Sequence, residues 1–181
     1  MKKTLIIALC CLVAVLAACK KKPVEPTPEP DPEPIDYAVN YVGSHLGQFT
    51  LTILTMNNEA VTNMSFPVDG IRMDITKGEE FNAVTATVTV DNEVRHTTGT
   101  ATEEKVNFDS VDLVIDKPDQ GYRFDLNLQM EGNKAESDTL NITGSFIGSG
   151  YFMFMGEMQT LDEVSGNLSG KLAPQPTTEK H

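Results

Sequence analysis

The chain of 181 residues contains no tryptophan, and its three cysteines, Cys10, Cys11 and Cys19, all fall within the first nineteen residues. Past Cys19 there is no thiol. For residues 20–181 that excludes a disulfide, a cysteine-based zinc site, a thiol nucleophile and thiolate redox chemistry. Whatever folds there is held by its core. Basic residues are scarce: 14 Lys and Arg stand against 26 Asp and Glu, for a formal charge of −12. A surface this acidic repels phosphate backbones and anionic lipid, which excludes DNA or RNA binding and leaves a cationic partner open. The single unbroken apolar run, residues 5–18, is shorter than the ~20 residues of a membrane span. HExxH, GxSxG, Walker and EF-hand patterns are all missing.

What the first residues do contain is ordered. Lys2 and Lys3 precede the apolar run, and small residues end it, in the pattern of a secretory signal peptide. The ending "LAAC", Leu16-Ala17-Ala18-Cys19, resembles a bacterial lipobox. The resemblance implies that residues 1–18 are a lipoprotein signal peptide, that cleavage falls before Cys19, and that its thiol carries lipid. Cys10 and Cys11 leave with the signal. Loss of Lys2 and Lys3 takes the formal charge from −12 to −14. Such a chain belongs to the cell envelope, lipid-anchored at the outer membrane of a Gram-negative bacterium, with the periplasmic or surface face left open. A multiply acylated cysteine holds far more firmly than one myristoyl chain.

Residues 19–35 read as the lipidated cysteine plus a spacer. Six of the ten prolines, Pro23, Pro26, Pro28, Pro30, Pro32 and Pro34, alternate there with Glu, Asp and Thr. Such a segment has nothing to bury and favours extended polyproline II. At ~3.1 Å per residue it reaches roughly 45 Å. Lys20, Lys21 and Lys22 lie beside the lipid headgroups, while the acids come further out.

Residues 36–172 have the composition of one globular domain, followed by a polar tail at 173–181. Period-two alternation runs throughout. Tyr122, Phe124, Leu126, Leu128 and Met130 share one strand face; Arg123, Asp125, Asn127, Gln129 and Glu131 share the other. Val84, Ala86, Val88 and Val90 oppose three threonines, and Leu140, Ile142 and Phe146 repeat the pattern. Asn57-Asn58, Asp69-Gly70 and Asp91-Asn92 suit tight hairpin turns; residues 117–121 and 148–150 suit longer ones. Between Phe108 and Val111 the apolar phase slips, which predicts a bulge at Asp109-Ser110. Glycines within the strands (Gly43, Gly47, Gly99, Gly144, Gly166 and Gly170) suit the sharp bends of a small barrel. About ten strands with short connections predict an all-β domain: an antiparallel up-and-down barrel of about 8–10 strands, or alternatively a β-sandwich.

The lipobox, the proline spacer, "YVGSHLGQFTLTIL", "FDSVDLVID" and the closing "LNITGSF" and "SGNLSGKL" together resemble the calycin-like, or lipocalin-like, lipoproteins of anaerobic gut bacteria. The Gly-x-Trp of true lipocalins is absent. The resemblance implies an antiparallel barrel, an apolar ligand and no catalytic residue. Asp109-Ser110-Val111 and Asp138-Thr139-Leu140 also resemble the Asp-Ser/Thr-apolar triplets at which related secreted proteins are O-glycosylated.

Catalysis finds little support. Ser44 and His45 are neighbours, so in a strand they point to opposite faces and cannot form a nucleophile–base pair. His96 has no partner identifiable from spacing. Acid pairs such as Asp91/Glu93 and Asp109/Asp112 are expected by chance in an acidic protein. No catalytic residue, metal ligand or cofactor is expected. The most unusual stretch is "GYFMFMGEM", where Phe152 and Phe154 alternate with Tyr151, Met153 and Met155 and both faces are apolar. A strand of that kind is buried on both sides or offers one side to a ligand or partner. Methionines adapt to irregular apolar ligands and also fill gaps in cores. Tyr151, Phe152, Met153, Phe154 and Met155, with Tyr122, Phe124, Leu126, Leu128 and Met130, are therefore ligand-facing or core candidates. Two readings follow: a membrane-anchored module binding a small apolar or amphipathic ligand inside the barrel, and an adhesin or accessory envelope subunit binding a protein or glycan through its outer surface, with a filled core and an exposed apolar or aromatic patch from Tyr151 to Met158. The state of the interior distinguishes them.

Overall fold

The computed structural model describes residues 33–135 and 137–176. The signal peptide, Cys19 and most of the spacer lie outside these. Nine strands follow one another: β1 (Gly43–Met56), β2 (Glu59–Lys77), β3 (Ala83–Val90), β4 (Glu93–Ala101), β5 (Val106–Phe108), β6 (Val111–Lys117), β7 (Tyr122–Lys134), β8 (Leu140–Phe154) and β9 (Glu157–Pro174). Two single 3₁₀ turns, Tyr37–Asn40 and Pro118–Gln120, are the helical elements among the described residues. All pairings are antiparallel, and sequence neighbours pair throughout except β5 and β6. The last strand pairs with the first (β9 with β1), and β5 pairs with β7, so one sheet closes on itself as a ring rather than stacking as two.

β5 and β6 share one place in that ring. β6 pairs with the first half of β7, up to Leu128, and β5 with Glu131 and Gly132 further along. The break between them is Asp109-Ser110, where the phase slip predicts a bulge. The interruption keeps Val106 and Phe108 on the same buried side as Val111, Leu113 and Ile115.

Two predicted turns are corrected. Asp69-Gly70 lies inside β2, where Gly47 pairs with Ile71 but Gln48 pairs with Asp69, leaving Gly70 as the extra residue at φ 72°. It is a bulge, and it moves the inward phase from Phe66 and Val68 to Ile71, Met73 and Ile75. Residues 148–150 lie inside β8. Their glycines serve close strand approach: a Cβ on Gly148 or Gly150 would run into the carbonyl of Asp125 or Arg123 on β7. The actual β8–β9 turn is Met155-Gly156, at φ 53° and 85°. Asn57-Asn58 and Asp91-Asn92 are turns as predicted, and Gly121 at φ 76° ends the 117–121 connection. β9 also carries the ladder to Pro174, two residues beyond the expected domain end.

The strand glycines allow close approach of neighbouring strands, and aromatic rings fill the space they leave. Phe124 covers Gly150, Phe146 covers Gly166 and Phe49 covers Gly170, each from the neighbouring strand. Phe49, Val68, Ile71, Met73, Ala86, Val88, Leu128, Val164 and Leu172 have no accessible surface at all, so no water-sized void touches them. The interior is filled by side chains, as a barrel of this small size allows.

Strand alternation sorts the connections into two poles. The chain enters at one pole, which also holds the β2–β3, β4–β5 and β7–β8 connections and the end of β9. Tyr37–Asn40 plugs it, with Ala38 and Tyr41 buried. Asn82 Oδ1 accepts from the Tyr37 amide at 2.7 Å, Asp36 pairs with Lys77, and the Tyr41 hydroxyl donates to the Thr102 carbonyl at 3.3 Å. The far pole holds the turns at Asn57-Asn58, Asp91-Asn92, residues 118–121 and Met155-Gly156. Phe66 closes its mouth, with ring centroids 5.0 Å from both Tyr122 and Phe124 and 5.9 Å from Phe152.

Candidate functional site

The ten residues singled out from sequence separate into two groups. Tyr122, Phe124, Leu126, Leu128, Met130 and Phe152 are buried and face the interior. They are core, and the strict alternation of β7 places them there. Tyr151 is half-buried on the outside. Met153, Phe154 and Met155 project from the far pole, 48%, 52% and 90% exposed. Met158, the far end of the patch that the outer-surface reading expects, joins them at 61%.

The projection has a structural cause. β7 runs out opposite Phe152, where it pairs through Tyr122, and β1 ends at Met56 opposite Val164. Past those points the β8–β9 hairpin pairs only with itself: Met153 with Met158 and Phe154 with Glu157. Its base is braced. The Met153 amide donates to the Gly121 carbonyl at 2.7 Å, and Asn57 Oδ1 accepts from the amides of Asp162 and Glu163, at 2.9 and 3.3 Å. Those two residues form the bulge by which Leu161 and Val164, three apart, both face inward. The tip is thus a two-stranded ribbon, braced at its base, carrying four large apolar side chains into solvent.

Turn chemistry makes the tip unusual. Asn57-Asn58 and Asp91-Asn92 use the polar residues that tolerate positive φ. At the β8–β9 turn a methionine adopts φ 53° and is also the most exposed of the large apolar side chains. The Xaa-Gly form of Met155-Gly156 could have marked this turn in the sequence.

The other candidates for chemistry stand apart. His45 faces the interior under the 3₁₀ plug, 3% exposed, while Ser44 points the other way. Burial pushes the His45 ring below its usual range, and neither ring nitrogen makes a hydrogen bond of normal geometry. His96 lies on the outer face, with Nδ1 3.0 Å from the Thr87 hydroxyl. The acid pairs are engaged singly: Asp91 with Lys117 at 2.7 Å, Glu93 with Arg95 at 2.8 Å, Asp112 with the Asn127 amide at 2.8 Å, and Asp109 with the Thr98 hydroxyl. Among the described residues no three His, Asp or Glu side chains converge as a metal site would need. Ser110 is exposed and Thr139 half-buried, both at the surface.

The main concavities are external. One of about 490 Å³ crosses β6, β7 and β8 on the outer wall, beside Asp112, Val114, Asn127 and Ile147. Another of about 850 Å³ lies at the N-terminal pole between Arg72, Lys134 and Pro174. The cations there are already paired, Arg72 with Asp74 at 2.8 Å and Lys134 with Asp138 at 3.0 Å. No family model, curated protein or solved structure matches the chain.

Proposed function

We propose that the protein is a non-catalytic β-barrel of calycin-like type, lipid-anchored through Cys19 at the cell envelope, that docks a partner macromolecule through the β8–β9 hairpin. The observation that carries this reading is the hairpin itself: a braced ribbon presenting Met153, Phe154, Met155 and Met158 to solvent while the interior is sealed at both poles. Of the two readings open from sequence, outer-surface binding is favoured. A ligand inside would have to displace side chains that touch no void. The ring of antiparallel strands supports the all-β barrel class, and the calycin-like type rests on the sequence resemblance. The lipobox and proline spacer support the anchor.

A photo-crosslinking residue placed at Met155 in cells, with Gln129 on the outer wall as control, tests the docking. The expected result is one discrete adduct at Met155 and none at Gln129. Native mass spectrometry of the processed chain after exposure to envelope extract tests the other reading. A retained small molecule of fixed mass would overturn outer-surface docking in favour of an interior ligand. The anchor is tested separately: Cys19→Ala is expected to move the protein from the membrane to the soluble fraction, and continued sedimentation with membranes would remove the lipid anchor from the proposal.

A further inference from the structure

We infer that the partner of the β8–β9 hairpin is a basic protein surface with an apolar pocket, into which the Met155 tip inserts as a knob. The inference rests on the docking reading above and specifies its chemistry. Two independent features point to it.

The first is the backbone at Met155. An L-residue in the left-handed region costs free energy unless it is Asn or Asp, whose short polar side chains tolerate it. This chain uses Asn or Asp at its other tight hairpins, so Met at position 155 departs from its own turn chemistry. The departure gains nothing inside the fold, because the side chain is 90% exposed. Local breaches of this kind, with no compensating contact, fall at functional positions. Behind the turn, the cross-strand partners Met153 and Met158 add apolar surface on one face of the ribbon, and Phe154, beside Phe152, on the other. Flexible, polarisable methionines suit a pocket of irregular shape.

The second is the charge around it. Glu157 adjoins the turn; Asp162 and Glu163 flank the hairpin base; Glu59 and Asp119 stand on neighbouring turns of the same pole, all exposed. None of the five has a Lys or Arg partner among the described residues. The cations nearest this pole are neutralised: Lys117 by Asp91, Arg95 by Glu93, Arg123 by Asp116 and Asp125. An apolar cap in an acidic collar complements an apolar pocket with a Lys/Arg rim. The collar opposes anionic membranes and, by like-charge repulsion, a second copy of the same tip.

The test uses the processed chain, residues 19–181 with Cys19→Ala, and a fluorescent synthetic peptide alternating leucine and lysine. A leucine–glutamate peptide and phosphatidylcholine vesicles are the comparison probes. The leucine–lysine peptide is expected to bind, more weakly as salt rises. Met155→Asn is expected to weaken it about tenfold or more, the effect of losing one hot-spot side chain, without lowering the thermal midpoint. Equal binding of both peptides would overturn the basic rim, and equal affinity for vesicles would make the occupant a membrane. Binding unchanged in Met155→Asn would show attraction to acidic surface at large and end the proposal, as would concentration-dependent dimers through the tip. If neither peptide binds while the Met155 crosslink forms in cells, this partner chemistry falls and the docking reading stands. If both fail, both fall.

Discussion

The hydroxyl of Tyr122, at the start of β7, donates to the carbonyl of Pro67 on β2, across the mouth of the far pole. β2 pairs with β3 only over Arg72–Lys77, so Pro67 sits where β2 has no second neighbour. A proline is tolerated there because β3 supplies no ladder for its missing N–H to join. Tyr122 then satisfies the carbonyl. Burial and the carboxylates of Asp69 and Asp91 hold the phenol above its usual range, so it stays a donor at any physiological pH. Tyr122→Phe keeps the ring against Phe66 and removes only this bond. The expected loss is about 1 kcal/mol, read from the denaturant midpoint at unchanged slope. No loss would mean that water replaces the hydroxyl without cost.

Two glycines separate close approach from backbone conformation. Gly47 faces β9, and an added Cβ would strike the Lys171 carbonyl, which is backbone and cannot step aside. Gly70 has open space around it but sits at φ 72°. Gly47→Ala is expected to cost about 2–3 kcal/mol through displacement of the β1–β9 pair. Gly70→Ala is expected to cost about 1 kcal/mol from conformation alone, and Gly70→Asn less. Chemical denaturation of the three variants gives the order; equal losses would mean the strands separate easily at Gly47.

How much of this was legible in the sequence depended on whether a signal was local. The inward face of β7, from Tyr122 to Met130, follows from period two alone, because burial on one side of a sheet enforces it. The Asp109-Ser110 interruption was legible for the same reason: the phase slips there, though the structure makes it a break between β5 and β6 rather than a bulge within one strand. Asp69-Gly70 is a bulge with a phase change, yet its dipeptide is a strong turn signal, and only pairing with β1 reveals that the strand continues. The glycines of 148–150 misled in the same way, since close packing against β7 is a tertiary fact. The hairpin was found as an oddity of composition. Its exposure was one of two readings open from the sequence, since deciding it depends on where β1 and β7 stop; its acidic collar was hidden, because β9, β2 and the Pro118–Gln120 turn bring it together.

His45 supplies a pH prediction. Its ring is buried under the plug, with Lys134 disfavouring its charge, Asp138 and Asp74 favouring it, and the Tyr41 carbonyl nearby without a normal hydrogen bond. Burial dominates and the folded pKa lies below the unfolded value of 6.5. The unfolded chain therefore binds the proton first as pH falls. Stability is complete above about pH 6.5 and declines below it. The carboxylates held low by cations, Asp36 by Lys77 and Glu131 by Lys105, lose their contributions only below about pH 4.5. Unfolding midpoints between pH 7 and 5 thus report His45. His45→Leu is expected to flatten that interval and to gain about 1 kcal/mol at pH 7 by removing two unpartnered polar atoms. An unchanged slope would place the proton uptake elsewhere.

Met155 is the position where stability and function should oppose one another. Its left-handed backbone is unfavourable for a methionine and acceptable for an asparagine, and its side chain contributes almost no burial to the fold. Met155→Asn restores the turn chemistry used at Asn57-Asn58 and is expected to raise stability by about 1 kcal/mol. The control is Asn57→Met, which imposes the same conflict at the β1–β2 turn. There the amide side chain also holds the Asp162 and Glu163 amides, so the loss should exceed the gain at Met155. Paired thermal and denaturant unfolding of the two variants measures the difference. A destabilised Met155→Asn would mean that the methionine supports the hairpin itself, and the turn would then be structural rather than a surface shaped for a partner.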